Sequence, residues 1–178
     1  MRKKRDGIII LILWLAMILR VYGLGLWVTW GDELNIINAA VAITQRGDWT
    51  WLGNEASFGA LAAHSPFSVY VTALPTLISP HPLLIRSFYA LLGLVTGALM
   101  YGMMRRYVGW TAAVIAASLL AVMPLPVDWS RYVWNPNLAP IFILIWLLTA
   151  AEGYFRGRTW GQYIHWIAVT AQGYCNGN

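Results

Sequence analysis

Long apolar stretches separated by short clusters of basic residues dominate this sequence. A helix needs about 20 apolar residues to cross a bilayer. Four stretches approach that length, at residues 7–26, 87–104, 111–127 and 138–155, and a fifth, incomplete one covers 160–171. Only 11% of the residues are charged, too few to cover a globule in water, where about a quarter is usual. We therefore predict an all-α integral membrane protein, a multi-span helical bundle.

The basic clusters predict how the spans are oriented. Loops with an excess of Lys and Arg stay in the cytoplasm. The N-terminal cluster, Arg105-Arg106, and Arg156 with Arg158 all face the cytoplasm only if Phe67–Ile78 does not cross the membrane. That stretch is apolar but has only about 12 residues, a length typical of an interfacial helix. We expect a multi-pass cell-membrane protein with a cytoplasmic N-terminus and an outer loop at 27–86. Within this loop, Phe67–Ile78 is expected to form a juxtamembrane helix that lies along the outer face of the membrane.

The outer loop contains a second predicted helix, Glu33–Gln45. Its apolar residues Leu34, Ile37 and Val41 recur at helical spacing and share one face. Asp32 stands directly before it and is a favoured helix cap. The pattern predicts an amphipathic helix that begins after Asp32 and packs through Leu34, Ile37 and Val41.

Two adjacent carboxylates, Asp32 and Glu33, are the first candidates for chemistry. A carboxylate in an interfacial cleft can act as a general base. Acidic residues are also common at the start of a helix, where they stabilise its exposed N–H groups. Spacing alone favours this second, structural interpretation.

Arg86 and Arg131 lie at the outer ends of later spans, against the positive-inside trend. Arginine binds phosphate through two parallel hydrogen bonds. The alternative is that each residue extends its charge to the interface from an apolar helix. Arg20 lies deeper in the first span, where reaching the interface or pairing with a loop acid would explain it.

His64 and Asn137 are polar candidates with structural alternatives. His64 precedes Ser65 and Pro66, so it can contact a phosphate or simply mark a turn before the juxtamembrane helix. Asn137 precedes the fourth span and can bind a sugar or phosphate, or cap the helix.

Several classes of function are disfavoured by composition. The net charge of +5 arises from clusters between apolar runs, which is a topology signal, so no nucleic-acid partner is expected. The single cysteine, Cys175, excludes an internal disulfide. No His or carboxylate pattern has the spacing of a metal site, so no metal ligand is assigned.

Five features occur in a characteristic order. They are the late Arg20 of the first span, Asp32-Glu33, the His64-Ser65-Pro66-Phe67 motif, the pattern Arg86-x-x-x-Ala90-x-x-Gly93, and Ser130-Arg131 followed by Trp134-Asn135-Pro136-Asn137. In this order the chain resembles the membrane glycosyltransferases of the GT-C fold, in particular the protein O-mannosyltransferase and lipid A aminoarabinose-transferase group. Ser65 departs from that pattern, since a proline is usual there.

The resemblance implies an enzyme that transfers a sugar from a polyprenyl-phosphate donor to a hydroxyl on the outer face. The acceptor would be a protein, or a lipid or glycan. It implies Asp32 and Glu33 as catalytic residues, with His64, Arg86, Arg131 and Asn137 binding substrate. No cofactor is required, although a divalent cation near Asp32 is compatible with the pattern.

Two further expectations concern the alternative class and the chain end. A small multi-span transporter or a non-catalytic membrane assembly subunit is the alternative, but residues 87–104 and 111–127 lack the mid-membrane charges that transporters use. Members of the resembled group continue with further spans. We therefore expect this chain to be a truncated, N-terminal part that is inactive by itself.

Overall fold

The structure, a computed structural model, describes residues 2–26, 31–51, 53 and 66–164. All the secondary-structure elements in these ranges are helical, which confirms the predicted all-α fold. The helices are α1 Arg2–Val21, α2 Gly31–Arg46, α3 Phe67–Thr76, α4 Pro82–Tyr107, α5 Trp110–Val122, α6 Pro124–Trp129 and α7 Ala139–Ala150. Short 3₁₀ turns lie at Leu24–Leu26 and Asn135–Leu138, and a π-helical turn, Ala151–Phe155, follows α7.

Three helical segments of the described ranges are long and apolar enough to cross a membrane, Gly7–Leu26, Pro82–Tyr107 and Asn135–Tyr154. They correspond to the predicted stretches 7–26, 87–104 and 138–155. Most of their side chains are not buried within the protein, and α1 exposes Leu11 and Trp14. Such large apolar surfaces need lipid around them.

The predicted span 111–127 differs from the structure, because its helix breaks. Helix α5 ends at Val122 and has 13 residues, which rise only about 20 Å against a hydrocarbon core of ~30 Å. Met123 has an extended backbone (φ −62°, ψ 134°), and α6 then begins at Pro124. A proline disfavours helical geometry in the residue before it. Counting apolar residues alone did not reveal this break.

The described chain forms two compact units. The first contains residues 2–26 and 86–132. In it α1 packs against α5, where Ala113, Ala117 and Ala121 are buried at four-residue spacing. Small residues at this spacing let two helix backbones approach closely. Tyr101 of α4 packs in the same core.

The second unit contains the described residues of 31–85 together with 133–164. Helices α2 and α3 pack against each other, and Thr44 shares a hydrogen bond of 3.1 Å with Thr76. The predicted apolar face of α2 is partly wrong, because Leu34 is exposed whereas Ile36, Ile37, Ala40 and Ile43 are buried. Asp32 lies inside the first turn of α2, which begins at Gly31, so it is not the cap.

A buried carboxylate marks the end of α7, also in the second unit. Glu152 is 1% exposed and lies 3.4 Å from the guanidinium of Arg158. Two glycines bring the next helical segment, residues 159–164, against this turn: a Cβ on Gly161 would lie 2.6 Å from the backbone nitrogen of Gly153. The remainder of the predicted stretch 160–171 lies outside the described residues.

Candidate functional site

Two of the predicted phosphate ligands meet at one turn in the first unit. Arg131 donates a hydrogen bond of 2.6 Å to the carbonyl of Tyr22. Arg86 donates one of 3.2 Å to the carbonyl of Leu24. Both carbonyls lie just beyond Val21, the last residue of α1, at the turn that leads into the 3₁₀ segment Leu24–Leu26. Arg86 and Arg131 lie far from this turn in the sequence, and the fold brings both side chains to the turn.

The turn owes its shape to glycine. Gly23 has φ +72°, in the left-handed region that glycine adopts without steric cost. A Cβ at Gly23 would lie 3.3 Å from Nη2 of Arg131. Gly23 therefore allows the positive φ of this turn and leaves space for the guanidinium of Arg131. The carbonyls that the two arginines contact belong to the residues before and after Gly23 in the chain, Tyr22 and Leu24.

The two arginines differ in exposure. Arg86 is 3% exposed, so its charge is almost wholly removed from solvent. The side chain of Arg131 is 15% exposed, and its Nη1 lies 3.9 Å from Asp128, beyond normal hydrogen-bonding distance. Arg131 is thus the more accessible of the two, whereas Arg86 is enclosed by the protein.

Arg20, another arginine of this unit, was not predicted as a site residue. It is 3% exposed and donates to the carbonyls of Leu120 at 2.8 Å and Ala121 at 3.3 Å. The expectation that it reaches the interface or pairs with a loop acid is therefore not what the structure shows. Arg20 instead serves the C-terminal carbonyls of α5.

The arginine pattern of α4 has a geometric explanation. Arg86, Ala90 and Gly93 follow the helical repeat and share one face, on which Ala90 is also buried. A Cβ on Gly93 would lie 2.5 Å from Cβ of Ser130 and 3.1 Å from Nε of Arg20. Glycine at position 93 therefore leaves room for Ser130 and the Arg20 guanidinium.

In the second unit, the two adjacent acids have different environments. Asp32 is exposed in the first turn of α2. Glu33 is buried, and its Oε1 accepts a hydrogen bond of 3.2 Å from the backbone N–H of Val133. Asp32 is accessible to a substrate, whereas Glu33 anchors α2 to the segment that leads into α7.

The polar residues before α7 are held differently from the prediction. Asn137 lies inside the 3₁₀ turn and does not cap α7, whose preceding residue is Leu138. Asn135 accepts a hydrogen bond from the hydroxyl of Ser68 on α3. This link was missed, because a serine in an apolar helix gives no sign of its partner.

His64 lies outside the described residues. Among the residues that the structure describes, no three His, Cys, Asp or Glu side chains lie together as metal ligands would.

A family model described as dolichyl-phosphate-mannose-protein mannosyltransferase matches residues 63–176, more than half of the chain. The chain belongs to this family. The predicted resemblance to the GT-C mannosyltransferases is thereby confirmed. No curated protein and no solved structure matches the chain.

The mannosyltransferase match covers part of the candidate site. His64, Arg86, Arg131 and Asn137 lie within the matched residues, whereas Asp32 and Glu33 precede them. Family membership makes the chain a glycosyltransferase-like membrane protein. The individual roles of these side chains depend on their chemistry and on experiment.

The different environments of the two acids predict different effects on stability. Glu33→Ala removes the acceptor of a buried N–H and should lower the free energy of unfolding by about 1–3 kcal/mol. Asp32→Asn changes an exposed group and should cost less than about 1 kcal/mol. Denaturant unfolding of the chain in detergent, followed by tryptophan fluorescence, measures both. Equal losses for the two variants would contradict the anchoring role of Glu33.

Proposed function

We propose that this mannosyltransferase-family chain contributes the phosphate-binding and acceptor-activating groups for transfer of a glycosyl unit. The donor is a polyprenyl-phosphate-linked sugar of the dolichyl-phosphate-mannose type. The acceptor is a hydroxyl group of a protein, on the outer face of the membrane. The observation that carries the proposal is the pair Arg86 and Arg131, both bound to the turn that follows α1.

The carbonyl contacts of Arg131 are compatible with phosphate binding. A guanidinium has five N–H donors in a rigid fork. The bond to Tyr22 fixes its orientation, and a fork held in place loses little freedom when it binds a phosphate. Electrostatic attraction is strong beside a membrane, where the effective dielectric constant is below that of water. The buried charge of Arg86 adds to this attraction.

The reaction is a single inverting displacement at the anomeric carbon. The acceptor oxygen forms a bond to that carbon while the bond from carbon to phosphate oxygen breaks, and the polyprenyl phosphate leaves with the electron pair. Negative charge grows on the leaving group in the transition state, where Arg131, assisted by Arg86, stabilises it. Asp32 takes the proton of the acceptor hydroxyl as general base.

Asp32 suits the role of general base better than Glu33. A general base must reach the proton that it accepts, and Asp32 is exposed whereas Glu33 is buried against the N–H of Val133. Glu33 would then position α2, which carries Asp32. His64 and Asn137 are proposed to orient donor or acceptor. The displacement itself requires no cofactor.

We also propose that α3 lies along the outer membrane surface. Its 10 residues rise about 15 Å, half of a hydrocarbon core. Leu74, Leu77 and Ile78 at its C-terminal end are exposed, while its small and polar side chains are buried. This end stands only a few residues before the membrane-spanning α4, so these apolar side chains would enter the interface.

The phosphate role of Arg131 is tested by binding. Arg131→Gln should weaken binding of the chain, in nanodiscs, to polyprenyl phosphate by about tenfold or more, since a charge-assisted hydrogen bond is lost. Arg46→Gln is the matched control, because Arg46 is exposed and pairs with Asp48. Microscale thermophoresis with polyprenyl phosphate against neutral lipid gives the affinities. Equal affinity of wild type and Arg131→Gln would contradict the assignment.

The role of Asp32 is tested in a full-length relative, with the substitutions made at the corresponding positions, by transfer of mannose from dolichyl-phosphate mannose to a serine- and threonine-containing peptide. Asp32→Asn should lower kcat by about 100-fold or more with little change in KM, as expected for loss of a general base. Asp48→Asn, another exposed acid of the same unit, is the control. Repeating the assay with EDTA tests a divalent cation. Undiminished kcat in Asp32→Asn, in a membrane fraction where wild type is active, would refute the role.

The position of α3 is tested by cysteine labelling. His81 is exposed between α3 and α4, so His81→Cys, in a Cys175→Ser background, should react with a membrane-impermeant maleimide added outside intact cells. A cysteine at Val108, which is exposed after α4, should react only after permeabilisation. Labelling of position 81 only from the cytoplasm would show that α3 crosses the membrane.

A further inference from the structure

We infer that Arg20 is a positioning residue for Arg131, acting through the broken end of α5. The inference rests on the phosphate-binding role proposed for Arg131. All the groups involved belong to the first compact unit.

Arg20 supplies donors that the backbone at the break does not have. In an α-helix the carbonyl of Leu120 would accept from the N–H of residue 124, but Pro124 has no N–H. Arg20 donates to that carbonyl at 2.8 Å and to the next one, Ala121, at 3.3 Å. Its positive charge also lies at the negative end of the α5 dipole. The interaction therefore fixes the point at which α6 leaves α5.

The other end of α6 is bound to the same region of α1. Arg131 follows α6 and donates to the carbonyl of Tyr22, only two residues after Arg20. The end of α1 thus contacts the segment 120–131 at two places. Before α6 the side chain of Arg20 bonds to the end of α5, and after α6 the carbonyl of Tyr22 accepts from Arg131. Because α6 has only six residues, a shift at its start moves Arg131.

Gly93 of α4 makes this arrangement sterically feasible. Cβ of Ser130 and Nε of Arg20 both border the space that a Cβ on Gly93 would occupy, at 2.5 Å and 3.1 Å. Ser130 is itself held by its hydroxyl, which donates to the carbonyl of Val127 at 2.7 Å. Ser130, the neighbour of Arg131 in the chain, and Arg20 therefore pack against the same face of α4.

The contacts of Arg20 argue against direct phosphate binding. It is buried and directs donors from both terminal nitrogens to backbone carbonyls: Nη1 to Ala16 at 3.2 Å and to Ala121, and Nη2 to Leu120. Its remaining donor, Nε, is buried beside Gly93, so a phosphate could reach Arg20 only by displacing these interactions or the packed atoms around Nε. Arg20 is thus expected to influence the ligand through the placement of Arg131.

A double-mutant cycle separates positioning from direct contact. The variants are Arg20→Gln, Arg131→Gln and the double variant, with Arg46→Gln as control, each measured for polyprenyl phosphate binding in nanodiscs. If Arg20 acts through Arg131, Arg20→Gln should weaken binding about tenfold, and the double variant should bind no more weakly than Arg131→Gln alone. Losses that multiply in the double variant would overturn the inference.

Hydrogen exchange tests the positioning without any ligand. Arg20→Gln should speed exchange of the backbone amides between Leu125 and Arg131 at least about tenfold, since a local opening becomes easier, and leave those of α2 unchanged. Unchanged exchange in residues 125–131 would overturn the positioning role whatever the binding data show. A wild-type chain that does not bind polyprenyl phosphate would instead refute the proposed function, so the two failures are distinguishable.

A second variant covers the case in which Arg20→Gln does not fold. Pro124→Ala restores an N–H that can bond to Leu120, so Arg20→Gln/Pro124→Ala should recover the stability of the fold. It should still bind polyprenyl phosphate about tenfold more weakly than wild type, because continuing α5 through the break redirects α6 and Arg131. Full recovery of binding in this double variant would show that Arg20 has only a stabilising role.

Discussion

The first compact unit depends on one constraint: carbonyl groups at a helix end, or just beyond it, have no helical N–H to pair with and need other donors. Helix α1 ends at Val21 and α5 at Val122, and arginines bond to the carbonyls at or just beyond these ends. Arg86 and Arg131 donate to Leu24 and Tyr22, and Arg20 donates to Leu120 and Ala121.

Much of the helical fold could be predicted, because an apolar stretch of spanning length is a direct consequence of the bilayer. The ends of helices were harder. The break at Pro124 was missed because residues 111–127 are almost all apolar, and the length of this apolar stretch was given more weight than the proline within it. On α2, Leu34 was assigned to the packed face, whereas Ile36 is buried and Leu34 exposed. A single exposed leucine is common on folded proteins, so hydrophobicity alone does not show which face packs inward.

Motif order suggested Arg86, Arg131 and the acid pair as candidates, but it did not show how their side chains are arranged. The match to the mannosyltransferase family covers Arg86 and Arg131, whereas the two acids precede it. The sequence could not distinguish Asp32 from Glu33, since adjacent helical residues point about 100° apart and either can face the core. It also could not show that Arg20 binds carbonyls about one hundred residues away in the chain.

Structural and functional interpretations of these arginines are therefore not alternatives. Lysine could satisfy a carbonyl, but its ammonium on a flexible stem would leave the charge free to rotate. A guanidinium can give one N–H to a helix end and present the others in a fixed plane. Arg131 donates to Tyr22 while part of its side chain stays accessible. The contact that completes the turn after α1 thus also orients a positive group of the kind that the proposed lipid-linked phosphate would require.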